Sequence, residues 1–322
     1  MSTDALQAAR NASRIGLGLA AVGRPSYINM NRRRDLPSER SVSAMRTRTH
    51  ELLDAAYDLD VRYVDVARSY GLAEKFLAEW LDLNNVQDMA IGSKWGYTYT
   101  ANWRPDAATH EVKDHSLSTF SDQLLETRGL LGERLDVYQI HSLTPESPAL
   151  TDIALHERLA VLADSGTTVG FSTSGPRQAH TIEAALAIEI NGEPLFRSVQ
   201  STFNVLETSA GSALREAHER GCFVIIKEGL ANGRLAEPHE SLSTLVEIAE
   251  HTHSSTDAVA LAAILHNPWV DVVLSGAATT EQLASNVRAP VLDLDENQIS
   301  ALNKLTEPAE HYWQFRSTLN WQ

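Results

Sequence analysis

Val61-Arg-Tyr-Val-Asp65-Val-Ala-Arg-Ser-Tyr70-Gly71 is the stretch that decides the fold of this chain. Val61 to Val66 is short, apolar and β-branched, the pattern of a buried strand, and a carboxylate, Asp65, stands at its end. Tyr70 follows in the loop, before Gly71. Similar runs occur at Arg14–Leu19, Met89–Lys94, Asp136–His141, Thr168–Ser172, Ser198–Phe203, Phe223–Lys227 and Val270–Ser275. Helix-length segments separate most of them. Strands alternating with helices predict parallel βαβ units, and eight such runs predict an α/β chain closed as a (β/α)8 barrel. No linker or low-complexity stretch divides residues 1–322, so a single domain is expected.

Several helix ends are legible. Leu155 to Ala163 stops before Gly166, and Ala213 to Arg220 before Gly221. Pro176 is expected at a first helical position. Ser254-Ser-Thr-Asp257 and Thr279-Thr-Glu-Gln282 read as capping boxes. Two segments break the alternation. Residues 24–40 are polar, with Arg32-Arg-Arg34 in the middle, and predict a long loop. The tail, about 307–322, is aromatic, with Tyr312, Trp313, Phe315 and Trp321.

The 322 residues carry 42 Asp and Glu against 27 Lys and Arg, a net charge of −15. Such a surface repels nucleic acid and anionic membrane, so neither is expected as a partner. The only cysteine, Cys222, opens an apolar run and reads as a small buried hydrophobe. Met1 to Ala9 holds Asp4 and no apolar run, so no secretory signal is expected there. The longest apolar stretch, Ala258 to Leu265, is too short to cross a bilayer. The expectation is a soluble, cytoplasmic protein.

Some motifs fail on context. Gly16-Leu-Gly18-Leu-Ala-Ala21 has dinucleotide-turn spacing, but Pro25 and a polar loop follow where that turn requires a helix. His110-Glu-Val-Lys-Asp114 and His156-Glu-Arg-Leu-Ala160 lack the second histidine of a zinc helix, and no metal site is expected. Gly170-Phe-Ser172-Thr-Ser174 lacks the last glycine of a nucleophile elbow. Tyr70 and Lys75 are five apart, one too many for a Tyr-x-x-x-Lys pair.

What survives lies at consecutive strand ends, which all open on one face of a parallel barrel. Asp65, Lys94 and His141 end the second, third and fourth runs, and Tyr70 follows the second. A tyrosine is a poor acid at neutral pH. Lys94 nearby is expected to lower its pKa, Asp65 to hold Lys94, and His141 to orient a substrate oxygen. That arrangement aims a proton at a carbonyl oxygen as it gains charge.

Asp65-Val-Ala-Arg-Ser-Tyr70-Gly-Leu-Ala-Glu74, Gly92-Ser-Lys94-Trp-Gly96 and Leu135-Asp-Val-Tyr-Gln-Ile-His141-Ser resemble the signatures of the aldo-keto reductase family. The resemblance runs from Gly16 to about Val287. It implies a TIM barrel with Asp65, Tyr70, Lys94 and His141 as a catalytic tetrad. It also implies NADP(H), or NAD(H), as cofactor and a small carbonyl or alcohol as substrate. Ser172 and Gln200 would hold the nicotinamide carboxamide, and Phe203 would stack on the ring. Lys227, Gly229 and Leu230 stand where many relatives have a Ser-Pro-Leu pyrophosphate loop. Ser275, Gly276, Ala277, Thr279, Gln282 and Asn286 resemble the segment around the adenosine phosphate.

Two departures stand out. Relatives often carry a basic residue near Ala278, facing the 2′-phosphate of NADP. Glu228 is an unfavourable neighbour for a pyrophosphate unless it turns away or pairs with Lys227 or Arg234. Trp95, Trp103 and Trp313 either line a substrate pocket or cover the barrel with apolar surface. The alternative to an enzyme is a cofactor-binding, redox-sensing or channel-associated subunit, a role some members of the family have.

Overall fold

The computed structural model describes residues 2–28, 30 and 34–321. Arg32 and Arg33 of the basic triplet lie outside them.

Eight parallel strands form a closed barrel. They are β1 (Ile15–Gly18), β2 (Tyr63–Asp65), β3 (Ala90–Trp95), β4 (Val137–Leu143), β5 (Thr168–Thr173), β6 (Ser198–Thr202), β7 (Phe223–Lys227) and β8 (Val272–Ser275). Each neighbours the next in sequence, and β1 closes on β8 with Ile15 opposite Val273. All eight expected runs are strands. Tyr97–Tyr99 and Glu111–Lys113 pair as an antiparallel hairpin above the barrel, a feature the sequence pattern did not reveal.

The helices are α1 (Ser2–Asn11), α2 (Val42–Asp58), α3 (Ala73–Asn84), α4 (Leu117–Leu131), α5 (Ile153–Asp164) and α6 (Gln178–Leu186), followed by α7 (Gly211–Glu219), α8 (Ser243–His251), α9 (Thr256–Leu265), α10 (Thr280–Asn286), α11 (Glu296–Asn303) and α12 (Ala309–Ser317). Helix α1 was not expected. Its Leu6 and Ala9 pack on Tyr63, Ala90, Val137, Phe223, Ile225 and Val272, closing the N-terminal end of the barrel with apolar surface. Each large side chain buried there contributes roughly 1.5–3 kcal/mol. Arg10 of α1 bonds Asp271 at 2.7 Å and lies over the Phe223 ring.

Three expected helix ends are corrected. Helix α9 is capped at Ser255, with no side-chain cap bond. Asp257 accepts instead from Ser285 and Asn286, so the 254–257 capping box does not form. Thr279 does cap α10, but the Gln282 amide oxygen takes the Ala278 N–H, leaving that box half made. Pro176 lies in the turn before α6, which starts at Gln178 after Arg177. The long loop is present: among the described residues of 24–40 there is no α-helix or strand.

Strand alternation decides what faces the barrel interior. On β6, Ser198, Gln200 and Thr202 turn inward, to Gln139, Asp65 and Lys227. Ser201 turns outward, to Gln178 of α6.

Candidate active site

Asp65, Lys94 and His141 stand where β2, β3 and β4 end or approach their ends, and Tyr70 sits in the turn after β2. The structure brings the four together. Lys94 Nζ donates to Asp65 Oδ2 at 2.5 Å, to the Val66 carbonyl at 3.0 Å and to the Tyr70 hydroxyl at 3.4 Å. The ion pair is almost wholly buried, with side chains 1% and 3% exposed. Such a pair is costly to break, because a lone charge would be stranded away from water. Gln200 Nε2 donates to the other Asp65 oxygen at 2.8 Å.

The His141 ring lies edge-on between Tyr70 and Tyr97, at centroid distances of 5.6 Å and 5.0 Å. Its backbone is fixed from below: His115 Nε2 donates to the His141 carbonyl at 2.8 Å, and Ser147 donates to His115 Nδ1 at 2.6 Å. Since a carbonyl only accepts, this assigns the His115 tautomer. Burial and Lys113 pull His115 down to about 4, so it stays neutral. The strand bulges here, with Ser142 at a φ of 59°, and the Ser172 hydroxyl accepts the Ser142 N–H at 2.8 Å.

Burial raises the Tyr70 phenol well above its ordinary value, and Asp65, Tyr27 and Glu111 push the same way, while Arg24 acts downward. The expected lowering by Lys94 does not dominate. Lys94 is matched to Asp65, and burial lowers its own pKa. Tyr70 is therefore held as a phenol, a proton donor. Burial, with Lys94, Lys227 and Arg24, pushes His141 well below its usual range, so its imidazole is neutral.

Asp65, Tyr70 and His141 open on a cavity of about 450 Å³, within the usual size of a small-molecule site. Around Tyr70 its wall includes Arg24, Tyr27, Tyr97, Glu111, Arg316 and Trp321. Away from the tetrad it includes Asp35, Glu237, Asp257, Ser275, Gln282 and Asn286. Gln200, Lys227, Gly229, Leu230, Gly276 and Ala277 line it as well.

At the end of β7, burial pulls Lys227 down to about 8 despite Glu228, and Lys227 donates to Thr202 at 3.0 Å. Burial alone would raise Glu228, but Arg316 and Lys227 outweigh it and hold the carboxylate at about 2. Arg316 donates to Glu228 at 2.6 Å and 2.8 Å. The partner anticipated in Arg234 is bound to Glu307 instead.

Other expected site residues lie elsewhere. Phe203 follows β6 on its outward side, packs edge-on to Trp269 at 5.0 Å and fits against Gly211, so it does not face the cavity. Ser172 is buried against the His141 bulge, and Thr279 caps α10; neither is in the cavity wall. None of the three tryptophans lines it. Trp95 is fully buried between His115 and Phe120. Trp103 packs on Phe76 and donates to the Arg40 carbonyl, pinning the end of the long loop. Trp313 is buried beside Tyr312. The aromatic wall comes instead from Tyr27, Tyr97 and Trp321. Trp321 belongs to the aromatic tail already singled out, and Tyr97 directly follows the Lys94-Trp-Gly96 motif. Arg24 and Arg316 had no local signal.

Among the described residues, no cluster of three His, Cys, Asp or Glu is arranged to hold a metal ion. No described helix is long and apolar enough to cross a membrane. Cys222 is buried, and burial raises its thiol to about 11.

The sequence profile of the Aldo/keto reductase family matches residues 14–307. This chain belongs to that family. An uncharacterized oxidoreductase of Schizosaccharomyces pombe is 23% identical over 253 residues, covering 77% of this chain and 75% of that protein. An aldo-keto reductase of Strobilurus tenacellus is 22% identical over 295 residues, covering 81% of each. The holo form of an aldo-keto reductase from Bacillus halodurans has the same fold, with a TM-score of 0.67 at 19% identity over 93% of this chain and 95% of that one. The family is one of oxidoreductases that act on small carbonyl compounds with a nicotinamide cofactor.

Proposed function

We propose that this protein reduces an aldehyde or ketone to an alcohol, or runs the reverse, with Tyr70 as the general acid and base. One observation carries the reading: the buried Asp65–Lys94–Tyr70 chain and a neutral His141 meet at the wall of a cavity of small-molecule size. When bound, the nicotinamide supplies the hydride that goes to the carbonyl carbon. The His141 imidazole then orients the carbonyl oxygen, and the Tyr70 hydroxyl gives that oxygen its proton. Lys94 offers an N–H to the phenolate left behind, and Asp65 keeps Lys94 charged and in place. Gln200 is bound to Asp65, so its part here is to fix that carboxylate.

The cavity wall supports a dinucleotide lying from Tyr70 to Asn286, along Lys227, Gly229, Leu230 and Ser275–Ala277. With the reactive ring at Tyr70, its other end meets Asp35, Glu237 and Asp257. Two cations stand beside that end: Arg34 pairs with Glu237 at 3.1 Å, and Arg48 donates to the Asp35 and Ala278 carbonyls at 2.9 Å each. Arg34 and Arg48 offset the carboxylates, which supports NADP(H), the carrier that the family resemblance implies.

One experiment tests both parts. Carrier oxidation is followed with a panel of aldehydes, and NADH and NADPH are each titrated by tryptophan fluorescence. Tyr70→Phe is expected to cut kcat by about 10²–10⁴-fold and leave carrier affinity nearly unchanged. A Tyr70→Phe protein that keeps most of its turnover refutes the acid role. Tighter binding of NADH than of NADPH refutes the carrier assignment alone.

A further inference from the structure

The Arg24 guanidinium is buried, with the side chain 2% exposed, and no expected role used it. It donates to the Ala20 carbonyl at 3.3 Å, the Ser69 carbonyl at 2.8 Å and Glu111 Oε2 at 2.9 Å. Its carbon centre lies 5.2 Å from the Tyr70 ring centroid, 5.0 Å from Tyr27 and 4.7 Å from Trp321. One cation thus joins the loop after β1, the Tyr70 turn, the hairpin and the C-terminal segment.

The backbone is built for this approach. Leu72 N–H bonds the Gly23 carbonyl at 2.8 Å. A Cβ on Gly23 would come within 2.5 Å of the Tyr70 carbonyl, and one on Gly71, at a φ of +63°, within 2.6 Å of the Gly23 carbonyl and 2.8 Å of Arg24 Cβ. Both positions need glycine for the two segments to touch. The Arg24 stem is thereby held against the turn that carries Tyr70.

We infer that Arg24 is a positioning residue for Tyr70: its guanidinium fixes the ring and stabilises the phenolate as the proton leaves. The inference rests on the acid and base role proposed above. Lys94 is the cation at the hydroxyl, but a carboxylate at 2.5 Å matches its charge. Arg24 acts from the ring side, and its own carboxylate, Glu111, is 24% exposed, so solvent screens that partner more than it screens Arg24. The groups facing Tyr70 are Asp65 from β2, Lys94 from β3, His141 from β4, Arg24 and Tyr27 from the loop after β1, and Glu111 from the hairpin.

The test compares Arg24→Met, Arg24→Lys and Glu111→Gln in the full chain. The readouts are the pH dependence of kcat, KM, and the ionisation of Tyr70 followed through ¹³C-labelled tyrosine, with Tyr70→Phe assigning the signal. Arg24→Met is expected to move the Tyr70 ionisation upward by about one unit and to lower kcat roughly tenfold with a smaller change in KM. Arg24→Lys restores part of both. Glu111→Gln removes a carboxylate that itself raises Tyr70, so it moves the ionisation downward and serves as the control that the signal reports charge around the ring. If Arg24→Met does not fold, Arg24→Lys decides: its Tyr70 ionisation must lie above that of the wild type, because the guanidinium over the ring is gone. An unchanged ionisation and pH profile in Arg24→Met, or in Arg24→Lys where Arg24→Met does not fold, overturns the inference. If the wild-type protein turns over no carbonyl compound, the proposed function fails, while the Tyr70 ionisation still tests Arg24.

Discussion

The same eight strands end in two opposite environments. At their N-terminal ends, Tyr63, Val137, Phe223, Ile225 and Val272 meet Leu6 and Ala9 of α1 in an apolar layer. At their C-terminal ends, Asp65, Lys94, Gln200, Thr202, Lys227 and Glu228 converge on the cavity, tied together by short polar bonds. The first end is held by packing, which tolerates no gap but has no preferred direction. The second is held by charge pairs, which specify direction and lose heavily when one partner goes. Apolar packing closes one end, and the charged groups on which the proposed chemistry depends gather at the other, as in barrels of this kind.

This contrast breaks most sharply at Tyr70. Removing its hydroxyl is expected to abolish nearly all turnover while the thermal midpoint barely moves, read by steady-state kinetics beside calorimetry. Lys94→Met should damage both properties, because Asp65 is left buried without its cation; a loss of about 3–5 kcal/mol in urea unfolding is expected. Adding Asp65→Asn should recover part of that stability and none of the activity. If Lys94→Met unfolds like the wild type, the buried pair does not hold this end.

Phe223→Ala is the matching change at the other end. It opens a cavity under α1 and should cost about 3–4 kcal/mol, with kcat at low temperature close to wild type. A large drop in kcat in folded protein would show that the two ends are coupled. Arg24→Met, with its roughly tenfold effect, lies between these extremes, since it changes the electrostatics of Tyr70 without removing a reacting atom.

The smallest expected effect concerns pH. Folded Lys227 releases its proton near 8, against 10.5 for the ordinary side chain. Between these values the unfolded chain binds more protons, so this group makes stability rise with pH across that window and adds no slope below it. Buried tyrosines act in the opposite sense at higher pH. Urea unfolding between pH 7.5 and 9.5 should therefore show a gain of about 1–2 kcal/mol from Lys227, absent in Lys227→Met. An identical slope in the two proteins would mean that folded Lys227 keeps its proton across this range and that burial does not lower its pKa.

Much of the fold was legible because strand and helix periods are local properties. Each of the eight runs carries its own β-branched pattern, and the tetrad could be picked out since strand ends in a parallel barrel share a face. Misreadings occurred where a side chain's direction depends on alternation or on a distant partner. Phe203 lies one residue past β6, and the inward set Ser198, Gln200 and Thr202 leaves it on the helix side. Asp257 looked like a cap and is instead claimed by Ser285 and Asn286, 28 and 29 residues away. For Trp95, Trp103 and Trp313 two roles were open, pocket lining or apolar cover, and their packing on Phe120, Phe76 and Tyr312 is that of cover.

By itself the sequence determined the closed barrel, the order of its strands and the group Asp65, Tyr70, Lys94 and His141, since all of these follow from short-range pattern and parallel topology. Only the tertiary structure decided that Tyr70 is held as a phenol, that charged pairs and Trp321 wall the cavity near it, and that Arg24 lies on its ring. The reason is physical. Burial and electrostatic environment are set by groups such as Glu111 and Trp321, 87 and 297 residues beyond Arg24. No local pattern encodes a neighbour at that distance.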